Sequence, residues 1–115
     1  MDTLAALGAF AGLIAVSLGA FGAHGLEGRL SEEQQEWWET ATLYLLAHAP
    51  TVLYCTAKET RRTAGWAIVI GAFVFSGTLY AMSLGAPRLL GAVTPIGGLG
   101  LVIGWSLLAI TYVRK

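Results

Sequence analysis

Residues 4–23, LAALGAFAGLIAVSLGAFGA, run for twenty positions without a charged side chain. At helical rise such a stretch is about 30 Å long, the thickness of the hydrocarbon core of a bilayer. Three further uncharged runs follow, each bounded by charges: Thr40–Ala57, Thr63–Pro87 and Leu89–Val113. Each can cross a membrane as a helix, the shortest by taking length from its flanks. A soluble helical domain would need a polar face on every helix, and these segments show none. The spacing therefore predicts an all-α protein, an integral membrane four-helix bundle forming a single domain over residues 1–115, with spans at about 4–24, 40–57, 64–86 and 91–113.

Composition agrees with that reading. Of the 115 residues 56% are hydrophobic and 12% charged, and the formal net charge is zero. A nucleic-acid partner would call for a clustered basic excess, so none is expected, and the bilayer itself is the expected environment. Cys55 is the only cysteine, which excludes an intrachain disulfide and a cysteine-based metal site. The first run has no basic residue before it, since Met1, Asp2 and Thr3 carry none, and no cleavage context after it. It is expected to be a retained helix rather than a signal peptide.

With four spans both termini share one side. Lys58, Arg61, Arg62, Arg114 and Lys115 then fall on that side, against Arg29 and Arg88 on the other. Basic residues stay on the cytoplasmic side, so both termini are expected there. The acidic residues Glu27, Glu32, Glu33, Glu36 and Glu39 all lie in the opposite, outer loop. Within that loop Ser31 and Gln34 have the spacing of a capping box, which predicts a helix start. No breaker separates it from the second span, so residues 25–39 are expected to form an outer loop and an amphipathic extramembrane extension of that span. Trp37 and Trp38 would anchor it at the interface.

Small residues mark packing faces, because helices in lipid associate through close backbone approach. Gly8, Gly12, Gly19 and Gly22 recur at helical spacing along the first span, and Gly100 and Gly104 form a GxxxG pair in the fourth. Such faces are expected to meet another helix of this chain, a second copy in a homo-oligomer or a larger membrane partner. Proline and paired glycines at Thr94-Pro95-Ile96-Gly97-Gly98 suggest a loosely wound start to the fourth span. Ser17-Leu18-Gly19-Ala20 also recurs as Ser83-Leu84-Gly85-Ala86, a possible echo of a duplicated hairpin.

The second span carries the chemistry. Tyr44, His48 and Thr51 share a face, and Ser76 and Tyr80 lie on one face of the third span. His48 is ten residues past Trp38, about 15 Å at helical rise, which places it near mid-membrane. A titratable side chain at that depth is by default a functional candidate. The five residues are expected to form a polar intramembrane cluster, with the imidazole bonded to Tyr80, Ser76 or a carbonyl freed by Pro50. His24, at the outer end of the first span, is expected to make a cap or loop contact. A haem held by His24 and His48 is unfavourable because the two lie at different depths, and a metal site has too few ligands. No carboxylate lies within any span to complete a hydrolytic set. No enzyme activity, metal or cofactor is expected.

The residues also resemble a family. Gly19-Ala20-Phe21-Gly22-Ala23-His24-Gly25-Leu26, then Trp38, Thr40-Ala41, Tyr44 and His48-Ala49 carry the resemblance. Phe75-Ser76-Gly77, Leu79-Tyr80, Leu90-Gly91, Thr94-Pro95-Ile96-Gly97-Gly98 and Gly104-Trp105 extend it over nearly the whole chain. Together they are similar to the small membrane proteins grouped as domain of unknown function 423, related to eukaryotic transmembrane protein 256. The resemblance implies a compact four-helix membrane protein, in bacteria of the inner membrane, and carries over no catalytic residue. Two readings of function follow: a structural or interaction protein packing through its small-residue faces, or a conduit for a small solute, ion or proton with a polar cavity at His48.

Overall fold

A computed structural model describes residues 1–114; Lys115, counted above among the basic residues, lies outside the described residues. Four long helices make up the chain: α1 (Thr3–His24), α2 (Glu32–Cys55), α3 (Glu59–Ser83) and α4 (Thr94–Val113). A short 3-10 helix, Arg88–Ala92, precedes α4. The molecule measures 50 × 27 × 22 Å, longer than the roughly 30 Å of hydrocarbon a membrane presents. By length and composition α1, α3 and the stretch Arg88–Val113 qualify as membrane spans. α2 is less apolar, since it carries four glutamates in its first two turns or so and Tyr44, His48 and Pro50 further on.

The surface is the reverse of a soluble protein's. Large apolar side chains such as Leu13, Val16, Leu46, Ile70, Ile96 and Val102 are exposed, while Ala11, Ala15, Ala41 and Ala72 are buried. An apolar surface on this scale suits lipid, not water. Small residues inside let the helices approach closely, which is what association within a bilayer requires.

α3 is the central element. It packs against α2 and α4 along their lengths and touches α1, while α1 packs chiefly on α2. α2 and α4 flank α3 without backbone contact between them. The glycines explain the closeness of the other seams. A Cβ on Gly8 would lie 2.9 Å from Val52 Cγ1, one on Gly19 would lie 3.0 Å from Thr42 Cγ2, and one on Gly22 would overlap the Trp38 indole. Gly12 faces Ala49. The small-residue face of α1 is therefore filled by α2 of the same chain, and it is not a free surface for a partner. Gly100 and Gly104 likewise face α3, against Gly71 and Ile68.

Helix ends follow local rules. Asp2 caps α1 by accepting from the Ala5 N–H at 3.2 Å. Ser31 and Gln34 form the predicted capping box: Ser31 Oγ accepts from the Gln34 N–H at 3.1 Å and Gln34 Oε1 from the Ser31 N–H at 2.9 Å. α2 then runs without interruption past Pro50 to Cys55. α3 closes with Gly85 at φ +104°, where the Ala86 N–H donates to the Ala81 carbonyl and the Gly85 N–H to that of Met82. This left-handed closure satisfies two terminal carbonyls. Its counterpart in the sequence echo, Gly19, sits inside α1, so the two tetrapeptides occupy different conformations.

Two expectations are corrected. Trp38 is not an interface anchor: it is 3% exposed, its Nε1–H donates to the Leu18 carbonyl at 2.8 Å, and Tyr80 meets it edge-on at 4.7 Å. Its position faces α1 and α3, and in lipid an indole can sit inside once its N–H has an acceptor. Trp37 is half-buried under the Arg88 guanidinium, 5.3 Å from its ring centre. The loosely wound segment is Arg88–Ala92, while α4 is regular through Gly97 and Gly98. Gly97 is needed there for packing, since a Cβ would press on the Phe75 backbone.

Candidate functional site

The predicted polar side chains do not gather into one cluster. Ser76 is buried and its hydroxyl donates to the Ala41 carbonyl at 2.8 Å, joining α3 to α2. Tyr80 OH and Thr42 Oγ1 share a hydrogen bond of 2.7 Å in the same seam. Further along, Ser83 Oγ reaches the Gln34 carbonyl at 3.0 Å. Thr51 turns back on its own helix, bonding the Ala47 carbonyl at 3.3 Å. His24 ends α1 with an exposed side chain. The hydroxyls of Ser76, Tyr80 and Ser83 are thus all engaged in hydrogen bonds to α2.

Tyr44 and His48 belong to a different place, the gap between α2 and α4. Because those helices stand apart on either side of α3, their side chains border a groove of about 660 Å³. Tyr44 and His48 form one wall and Gly98, Leu101, Val102, Trp105, Ser106 and Ala109 of α4 the other, with Phe75 of α3 between them. Tyr44 packs on Phe75 at 4.4 Å between ring centres and stacks toward His48 at 6.1 Å. The groove is open rather than enclosed, and its lining is largely apolar.

His48 bridges the gap. It is 8% exposed, its Nδ1 lies 2.6 Å from the Tyr44 carbonyl, and its Nε2 lies 3.0 Å from Trp105 Nε1. An indole N–H can only donate, so Nε2 accepts and the ring proton sits on Nδ1, where it donates to the carbonyl. The geometry therefore assigns a neutral imidazole with both nitrogens engaged. The acceptor is the carbonyl four residues back in the helix, not the one freed by Pro50. Tyr44 contributes a side chain 38% exposed at the groove.

Sequence reasoning missed Trp105 as the partner of His48. The two are 57 positions apart and no spacing rule links them. The available signal was an indole placed deep in an apolar span, where its N–H needs an acceptor.

At the opposite end from the acidic loop, Asp2 and Arg62 form an ion pair of 2.9 Å joining the starts of α1 and α3. The guanidinium and the Ala5 N–H hold the Asp2 carboxyl down at about 2. Arg62 is raised in turn by that carboxylate. Arg61 lies beside this pair but points inward, 9% exposed, with Nη1 donating to Tyr54 OH and Tyr112 OH at 3.2 Å each. At the other end Arg88 pairs with Glu33.

Comparisons with known proteins agree with the architecture. A UPF0382 membrane protein of Staphylococcus epidermidis is 42% identical, the match covering 99% of this chain and 98% of that protein. One of Staphylococcus haemolyticus is 42% identical over 91% of this chain and 90% of its own length. A Bacillus subtilis UPF0382 membrane protein is 38% identical over 99% and 98%. No solved structure matches the chain. The model of the family described as protein of unknown function (DUF423) matches residues 18–98, from the last turns of α1 through α2 and α3 to the first turn of α4, and the chain belongs to that family of small membrane proteins.

Proposed function

We propose that the protein is a membrane-embedded binding protein, not an enzyme, and that the α2–α4 groove holds an elongated apolar molecule of the bilayer with one polar end. The observation that carries this reading is the groove itself: about 660 Å³, open, and walled mostly by aromatic and aliphatic side chains, with Tyr44, His48 and Ser106 as its polar features. Ligand sites have this character, mostly apolar with a few placed polar groups, and volumes of roughly 300–1,000 Å³. A binding role fits the chemistry better than catalysis does, because the two nitrogens of His48 are already committed and no nucleophile accompanies it. An interaction through the glycine faces is not supported, since α2 and α3 occupy them. A conduit is less well supported, because the hydroxyls along the α2–α3 seam are taken up in hydrogen bonds between the two helices.

The same reading places the molecule in the bacterial inner membrane. The basic end, with Lys58, Arg61, Arg62 and Arg114, faces the cytoplasm, and the first turns of α2 project beyond the outer surface. Filling the groove tests the binding role. Gly98 can accept a side chain, as its Cβ would lie at an ordinary 3.8 Å from Phe75 Cδ2. Native mass spectrometry of the protein released from mild detergent is expected to show a retained apolar molecule in the parent and its loss in Gly98→Leu. Equal retention in both would refute the assignment.

A further inference from the structure

Arg61 presents a problem that the groove does not explain. Arginine is almost never buried without a counter-charge, because taking the guanidinium out of water is costly. Arg61 is 9% exposed, yet among the described residues it makes no ion pair; the two that exist are Arg62–Asp2 and Arg88–Glu33. Two tyrosine hydroxyls and the Tyr54 ring, 4.1 Å from the guanidinium carbon, hold it in place. Those are neutral groups, and they position the charge without cancelling it. Its Nε–H is buried with no acceptor among the described residues. A buried charge and an unmatched donor on one side chain suit an anionic ligand.

The space for one lies alongside. A cavity of about 260 Å³ is lined by Lys58, Thr60, Arg61, Thr111 and Tyr112, with no acidic side chain among them. Lys58 occupies the N-cap of α3, and no side chain caps that helix. Its first N–H groups and the positive end of its dipole are therefore available at the same corner. Glu59, in the same turn, forms no ion pair with Arg61. Lys58 is exposed while Arg61 is enclosed, so an anion would approach from the membrane surface and dock inward onto the guanidinium.

We propose that this corner, where α3 begins and α4 ends, is a phosphate-binding site, taking the phosphate group of an anionic phospholipid or a free phosphate. Arg61 supplies the buried charge, Lys58 the outer one, and Thr60 and the α3 N-terminus further donors. Basic pockets between helices at the membrane surface are suited to lipid headgroups by the same physics. The site is independent of the α2–α4 groove.

Thermal stability in uncharged detergent reads the binding, since a ligand that prefers the folded state raises the melting temperature. The probes are phosphatidylglycerol, diacylglycerol as its phosphate-free counterpart, and inorganic phosphate against chloride at equal ionic strength. The variants are Lys58→Gln and Arg61→Gln, with Arg114→Gln removing one charge from the same end outside the cavity. Phosphatidylglycerol is expected to stabilise the parent and Arg114→Gln alike and diacylglycerol neither, with roughly tenfold or more weaker apparent binding in Lys58→Gln, the worth of one charge-assisted hydrogen bond. Arg61→Gln should lose the response. If that variant does not fold, Lys58→Gln, altered only at an exposed position, still decides. Stabilisation by inorganic phosphate with the same variant pattern would assign the site to a soluble anion. Equal weakening in Lys58→Gln and Arg114→Gln, or no response to either phosphate, would overturn the proposal.

Discussion

His48 shows how much one side chain can organise when every polar atom must find a partner inside the protein. Its ring accepts from Trp105 and donates to Tyr44, tying α4 to α2 across a gap that their backbones do not close. Hydrogen bonds between membrane helices are worth about 0.6 kcal/mol on average and about 1.7 at most. His48→Leu is therefore expected to lower stability in detergent by that order and to shift Trp105 fluorescence, as the indole N–H loses its acceptor. An unchanged melting temperature and emission spectrum would show that the bridge does not form. At this scale the sequence announced His48 by its depth and announced Trp38 wrongly. Two adjacent tryptophans before an apolar run suggest an interface, but the helix phase turns only one of them inward. What decided the matter was Gly22, a residue whose missing side chain makes room for the indole. The fit between a glycine and an aromatic ring sixteen positions away belongs to tertiary packing.

Helix pairing is governed by where backbones meet. Gly71 and Gly97 mark the crossing of α3 and α4: a Cβ on Gly71 would lie 2.7 Å from the Gly97 carbonyl oxygen. Gly77, six positions along α3, has nothing within 4 Å of such an atom. Gly71→Ala is thus expected to destabilise by about 1–3 kcal/mol through overpacking, while Gly77→Ala should be neutral or gain up to about 1 kcal/mol of helix propensity. Parallel denaturation curves check the pair, and equal effects would disprove the close crossing. The capping box gives a second contrast, since Ser31→Ala should cost about 1 kcal/mol and loosen the start of α2 by hydrogen exchange. The elements themselves were legible in the uncharged runs, and the box in its spacing. The route of the fourth segment was not, because Pro95 and the paired glycines read as a disruption until Pro95 is seen in the first turn of α4, where a proline needs no donor.

For the whole molecule, charge and shape combine. Asp2 and Arg62 link α1 to α3 at the basic end, and because the Asp2 carboxyl is held below its ordinary value of 3.8, at about 2, the folded state favours its ionised form. That contribution is fully present above pH 3.8 and is lost as the pH falls through about 2, so parent and Asp2→Asn should converge in stability across that window. Curves that stay parallel down to pH 2 would count against the link. Orientation is checked by a carboxy-terminal reporter, which should fluoresce as a green fluorescent protein fusion and be inactive as a periplasmic phosphatase fusion. Four long helices and the two charged ends could be foreseen from the distribution of charge along the chain. The groove could not, for it exists because α3 separates α2 from α4, and no local pattern states which helices will fail to touch. It is also the central claim, and lipid photo-crosslinking tests it most directly. A phospholipid with a diazirine near the end of its acyl chain, incorporated at low density and activated in the bilayer, should label Gly98–Ala109 and Tyr44–His48 well above the other lipid-facing surfaces, and Gly98→Leu should remove that excess. Labelling spread evenly over the exposed faces of α1, α3 and α4, unchanged in the variant, would contradict it.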